Sequence, residues 1–294
     1  MSQGCIFFNF GNKCMARLFV AIHTLRKVYN GPVTIMLSEN DEFNKEVYSI
    51  FENKYNCNIQ WFDLDRTVKR NLKSVLKPMF FENSPYDTSI MFDGDLVFAK
   101  PFDELWDWTE DKGWTVTHFM GWMSNGKSMS KRINNVLSDV FNEKQMAAAT
   151  DNHPAINVGV LGYNKDKGRK LLRKWKQVTQ QVAGKFIADE IAMQGVYFWY
   201  DHYVADERFN YSCHYGKILK EAKIIHYHGN KHTGLHRESS RLWWACVKEI
   251  MDKGDIDIIK WLKADPDANR VLTEHPDEKF LKECQDEFKG YWDG

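Results

Sequence analysis

Three short apolar runs separated by two amphipathic segments constrain this fold more than any other feature of the chain. Cys5 to Phe10 (CIFFNF), Val33 to Leu37 (VTIML) and Asn58 to Leu64 (NIQWFDL) read as buried strands. Between the first two, Met15, Leu18, Phe19, Ile22, Leu25 and Val28 recur at helical spacing, and Asn30-Gly31-Pro32 stops the helix. A second helix is expected from about Asp41 to Tyr55, with acids in its first turn. This order predicts an α/β fold in which helices cover the faces of a parallel sheet. Further on, helices are expected over Leu72 to Phe80, Lys131 to Phe141, Lys165 to Val182 and Ala188 to Phe198, and in LWWACVKEIM and DIDIIKWLK. Strands are expected over Trp114 to Phe119, Ala155 to Gly162 and Lys223 to His228.

The segment Ser89 to Phe98 (SIMFDGDLVF) carries the chemistry. It is an apolar strand ending in Asp93-Gly94-Asp95, then a second apolar run. Two carboxylates this close repel unless something neutralises them, and a divalent cation with a taste for oxygen ligands does so well. Gly94 would let the backbone turn and leave room for a ligand.

Composition excludes some alternatives. With 40 Lys plus Arg against 40 Asp plus Glu, the formal net charge is zero, which argues against nucleic acid as a partner. Aromatic residues make up 14% of the chain, enough for a large aromatic core or for surfaces that stack on sugar rings. Cys5, Cys14, Cys57, Cys213, Cys246 and Cys284 show no CxxC spacing, so reduced thiols in a cytoplasmic protein are expected. The N-terminus, MSQGCIFFNFGNK, has no signal-like charge and apolar pattern, and no apolar run approaches the ~20 residues of a membrane span.

The longer stretch SPYDTSIMFDGDLVFAKPFDELW resembles the GT-A class of nucleotide-sugar glycosyltransferases. That resemblance implies a Rossmann-like mixed sheet flanked by helices over residues 1–235, with a helical C-terminal extension packed on it over 236–294. It also implies that Asp93 and Asp95 bind Mn²⁺ or Mg²⁺, which holds the diphosphate of a UDP- or GDP-sugar donor. INVGVLGY (Ile156 to Tyr163) resembles the Asn-x-Gly-Val strand beside the donor sugar, which points to Asn157. IIHYHGNK (Ile224 to Lys231) resembles the His-aromatic-x-Gly-x-x-Lys element of the glycogenin-like and bacterial galactosyltransferase group. There His226 would be the third metal ligand and Lys231 would touch phosphate, although Lys231 comes one residue early and the Pro-Trp that should follow is absent. ADEIAMQGVYF is similar to the acidic element of glycogenin-like and blood-group-type retaining transferases. Asp189 falls on the residue that holds the donor sugar, and Glu190 on the proposed nucleophile. The resemblance covers about Cys5 to Gly234 and implies transfer to an acceptor glycan, glycoprotein or other hydroxyl with retention.

The candidate catalytic residues are therefore Glu190 and Asp189. The candidate metal ligands are Asp93, Asp95 and His226. The candidate donor-binding residues are Asn9, Lys77, Asp93, Asn157, Gly229 and Lys231. Asn9 follows the first strand, where nucleosides dock in sheets of this kind.

Blander readings compete at each point. Asp189-Glu190 could be helix-start acids that complement the dipole. GWMSNGKS (Gly121 to Ser128) matches the phosphate-loop pattern in full, which would make the protein a nucleotide-binding enzyme of another class, but Trp122 and Met123 are bulky for a loop that wraps phosphate. A non-catalytic sugar- or nucleotide-binding module is a further alternative. His226, His228, His232 and His236 fit no common zinc spacing. The basic run from Lys165 to Lys176 reads as a solvated helix face, with Leu171, Leu172 and Trp175 inward. Trp243-Trp244 is read as core.

Overall fold

The structure, a computed structural model, describes residues 1–9, 14–38, 45–62, 76–215, 220–228, 238–254 and 276–293. In chain order, the first elements are β1 (Gln3–Asn9), α1 (Met15–Val28), β2 (Val33–Ser38), α2 (Lys45–Tyr55) and β3 (Asn58–Phe62). Then come α3 (Lys77–Glu82), β4 (Thr88–Phe92), β5 (Leu96–Phe98), α4 (Glu104–Lys112) and β6 (Trp114–Met123). The middle of the chain holds α5 (Lys127–Leu137), α6 (Glu143–Ala149), β7 (Pro154–Asn164), α7 (Lys165–Gln181) and α8 (Ala188–Gln194). Short strands β8 (Tyr203–Ala205), β9 (Tyr211–Ser212) and β10 (Ile224–His226) precede α9 (Glu238–Asp252) and α10 (Glu278–Glu287).

Seven strands form one sheet in the order β3-β2-β1-β4-β7-β6-β8, and β5-β10-β9 form a small second sheet. The β2–β3 and β6–β8 pairs are parallel, whereas β7 runs antiparallel to both β4 and β6, so the large sheet is mixed rather than purely parallel. The expected break within residues 89–98 is real: β4 is buried throughout, and Asp93-Gly94-Asp95 separates it from β5. The chain divides into two compact units. One holds Met1–Ile6, Leu64–Phe92 and Phe102–Asn210; the other holds Phe7–Asp63, Asp93–Pro101 and Tyr211–Gly294. The boundary expected at 235/236 falls among residues outside those described, as does DIDIIKWLK.

In the first unit, aromatic residues build the core. Phe81 packs edge-on against Trp114 and Tyr163, each at 5.4 Å, and Trp114 meets Trp175 at 6.0 Å. Edge-to-face pairs of this kind add to burial energy. Leu171, Leu172 and Trp175 on α7 are buried, as the inward reading required. The α7 cations are used locally. Lys165 donates to the Ser84 carbonyl at 2.6 Å, Lys167 to those of Glu110 and Asp111, and Lys176 pairs with Glu82. A Cβ on Gly162 would come within 2.0 Å of Thr109 Oγ1, so glycine at this point of β7 is what lets α4 approach the strand.

In the second unit, α1 packs on β5 and α9, and α9 packs on α10. Trp243 and Trp244 are fully buried, as expected of core residues. Lys27 on α1 bonds Glu249 on α9 at 2.7 Å, and His23 Nε2 lies 3.4 Å from the same carboxylate. Burial works to raise the Glu249 carboxyl, but His23 and the Lys27 ammonium outweigh it and hold the group well below the usual carboxylate range. Burial pushes the His23 imidazole below its ordinary value, against the opposing pull of the Glu249 carboxylate. All six cysteines are thiols rather than disulfide halves, and all but Cys14 are buried. No helix among the described residues is long and apolar enough to cross a membrane.

Candidate active site

Each unit carries one cluster of functional groups. In the second unit the cluster is assembled by strand register. β10 pairs antiparallel with β5, so that His226 faces Leu96, the residue directly after Asp95. The Tyr227 N–H donates to the Asp95 carbonyl at 3.0 Å, extending the pairing to the acidic turn itself. β9 supports β10 from its other side, with His226 opposite Ser212. The buried imidazole of His226 is thereby delivered to the two carboxylates. Its Nε2 lies 3.1 Å from Asp95 Oδ1 and 4.0 Å from Asp93 Oδ2. One ligand atom from each of Asp93, Asp95 and His226 lies within 4.8 Å of the others. Opposed ligands of an ion held at about 2.1 Å stand about 4.2 Å apart, so this set closes on one cation with small side-chain adjustments. Two carboxylates and an imidazole could hold a divalent cation, whose charge would neutralise that of the acidic pair.

Gly94 requires a correction. Its φ lies outside the left-handed region, and a Cβ there would make only ordinary contact, 3.8 Å from Leu18. The turn therefore does not need glycine for its backbone. The His226 ring stacks on His228 at 4.0 Å, and His228 on His214 at 5.4 Å. Asn9, also in this unit, donates from Nδ2 to the Tyr48 hydroxyl at 3.0 Å. Gly229, Lys231, His232 and His236 lie outside the described residues.

In the first unit the cluster is centred on α8, where Asp189 and Glu190 occupy the first turn at 6% and 7% exposure. The residue before the helix, Ile187, sits at φ 44°, ψ 47°. A β-branched residue in this left-handed conformation costs roughly 1–2 kcal/mol, and strain of this kind gathers at functional sites. Trp175 Nε1 donates to the Asp189 carbonyl at 2.9 Å and anchors the turn from α7. Lys77 on α3 is buried, and its Nζ lies 3.4 Å from Asp189 Oδ2 and 3.4 Å from the Val158 carbonyl.

At that carbonyl the register between β7 and β6 shifts. Val116 on β6 faces Leu161, but its neighbour Thr117 faces Asn157, so Val158 to Val160 form a bulge in the ladder. Asn157 stands at the edge of the bulge, and its Nδ2 donates to Glu190 Oε2 at 2.6 Å. The structure thus joins Asn157 with Glu190 and Lys77 with Asp189. Asn210, Thr117 and Ile187 were not found by sequence reasoning. Asn210 follows a one-turn 3-10 segment, Glu207–Phe209, and neither periodicity nor motif marks it.

The phosphate-loop reading of GWMSNGKS is not favoured. Two of its backbone donors are already used: Ser124 N–H bonds the His153 carbonyl at 2.9 Å and Gly126 N–H the Met123 carbonyl at 3.0 Å. A phosphate cradle needs such N–H groups pointing at the ligand.

No family profile matches the chain, and no curated protein matches it in sequence. Among solved structures it is similar to the apo form of WbbM, a bifunctional glycosyltransferase, with a TM-score of 0.56 at 14% identity. The fold is GT-A-like. The match covers 96% of this chain and 52% of that one, so the chain spans about half the length of the solved protein it resembles.

Proposed function

We propose that this protein is a metal-dependent glycosyltransferase that moves a sugar from a nucleoside-diphosphate donor to an acceptor hydroxyl, with retention. The observation that carries the proposal is the convergence of Asp93, Asp95 and His226 in a GT-A-like fold. A divalent cation held by these three residues supplies charge neutralisation for the diphosphate as it leaves. Asn9, Gly229 and Lys231 are assigned to the nucleotide and phosphates of the donor. Lys77, Asn157 and Asp189 are assigned to its sugar end.

In the reaction, the bond between the anomeric carbon and the β-phosphate oxygen breaks and the electron pair leaves on the diphosphate. The Glu190 carboxylate stabilises the positive anomeric carbon or captures it as a covalent adduct. The acceptor oxygen then bonds the face that the diphosphate left, any bond between Glu190 and the sugar breaks with its electron pair returning to the carboxylate, and the acceptor's proton passes to a diphosphate oxygen. Asp189 and Lys77 form an ion pair, so they keep the neighbouring charge balanced while Glu190 acts.

The test is incubation with UDP-glucose, UDP-galactose and GDP-mannose, with and without Mn²⁺, followed by NMR of the first product. The proposal expects metal-dependent turnover of one α-linked donor to an α-configured product. A β product would make the carboxylate a general base rather than a nucleophile. Metal-dependent binding of UDP or GDP with no turnover of any donor would favour a non-catalytic module.

A further inference from the structure

The Asn157 side chain is committed at both ends. Its Oδ1 accepts from the Gly159 N–H and from Asn210 Nδ2, each at 2.9 Å. A position facing two N–H donors must hold oxygen, so the amide nitrogen is the end turned to Glu190. A flipped amide would set N–H against N–H twice and oxygen against carboxylate once. Asn210 is oriented by the same rule, because its Nδ2 also donates to Thr117 Oγ1 at 2.8 Å. The Thr117 hydroxyl lies 3.2 Å from the Asn157 carbonyl and 3.1 Å from that of Val160, which gives its own proton an acceptor and leaves a lone pair for Asn210. The four side chains are all buried. The result is a one-way relay: Asn210 donates to Asn157, and Asn157 donates to Glu190.

We propose that Asn210 is a positioning residue that fixes the hydrogen-bonding sense of the catalytic carboxylate. Through Asn157 it presents Glu190 with a donor, which only the ionised carboxylate accepts fully, and it fixes the direction in which Glu190 points. This rests on the catalytic reading of Glu190 above. A nucleophile or cation stabiliser must be anionic, and an N–H donor from Asn157 favours that form.

The test uses the full chain, with ¹⁵N in the asparagine side chains, and four variants: Asn210→Asp, Asn210→Leu, Glu190→Gln and, for assignment, Asn157→Asp. The Asn157 amide pair is identified by its loss in Asn157→Asp. In wild type, one of its protons should lie well downfield because of the short bond to a carboxylate. Asn210→Asp replaces a donor with an acceptor, and Glu190→Gln removes the charge, so both should bring that proton back toward the ordinary amide range. Asn210→Asp should lower kcat for the donor identified above by about tenfold or more, with KM changed by less than about threefold. Asn210→Leu should lose less, because Gly159 still holds the Asn157 oxygen.

An Asn157 resonance that stays in place in Asn210→Asp would overturn the proposal. So would activity losses in both Asn210 variants that merely follow their loss of folded protein. If Glu190→Gln keeps the wild-type kcat, the catalytic reading of Glu190 fails. The resonance still decides independently whether Asn210 governs Asn157.

Discussion

The two acidic pairs of this molecule are built in opposite ways. Asp189 and Glu190 are buried among groups the protein itself supplies: Lys77 for one, and the Asn157 amide for the other. Asp93 and Asp95 converge on each other and on one buried imidazole, with ligand atoms inside 4.8 Å. The first arrangement favours carboxylates in the folded chain as it stands. The second is favourable when a cation sits among them, because like charges at this range disfavour mutual ionisation. Residues kept where they cost stability mark binding work. The comparison therefore separates a pair that the fold orients from a pair that the fold offers to a ligand.

Three substitutions can break or sharpen this contrast. The largest effect is expected for Asp95→Asn. It should lower donor turnover by about 10²-fold or more, as loss of a catalytic electrostatic element does. Yet its melting temperature in EDTA should equal or exceed that of wild type, because a repulsion is relieved. A large destabilisation in EDTA would mean that Asp95 is structural.

Lys77→Ala should do the reverse. Removing one partner of a buried ion pair leaves Asp189 charged and uncompensated, a loss of about 3 kcal/mol by denaturant unfolding. Adding Asp189→Leu to Lys77→Met should recover most of it. If Lys77→Ala costs no more than an exposed pair, the two acidic clusters are not different in kind.

Gly94→Ala is the subtler probe. Nothing among the described residues requires glycine there, since the added methyl group would make ordinary contact with Leu18. The melting temperature should hold, while affinity for UDP in Mn²⁺ falls about tenfold, or ~1.4 kcal/mol, if the diphosphate lies against this backbone. Unchanged affinity would remove Gly94 from the donor site.

Much of the architecture was legible because its signals are periodic. The α1 helix has the bounds its apolar spacing predicts, and β1, β2 and β3 lie on the three apolar runs. The acidic turn was legible because two charges interrupt apolar strands. Other features have no such signature. The β7 bulge is written as a continuous apolar run, and only the register against β6 shows that Val158 to Val160 are skipped in that pairing. Helices α4 and α6 are short and polar on one side; the capping box of α6, Asn142 with Gln145, is a local signal that periodicity does not see. Asn210 donates a hydrogen bond to a residue 53 positions away, which no local pattern encodes. The match of GWMSNGKS to a phosphate loop shows the converse: residue types can fit while backbone donors such as those of Ser124 and Gly126 are occupied elsewhere.

The most direct test of the central claim is calorimetric titration of Mn²⁺ into the metal-free protein, followed by UDP. The account predicts one Mn²⁺ per chain, UDP binding that depends on it, and loss of both in Asp95→Asn and in His226→Ala. UDP binding of equal strength in EDTA, or full Mn²⁺ binding by both variants, would contradict it.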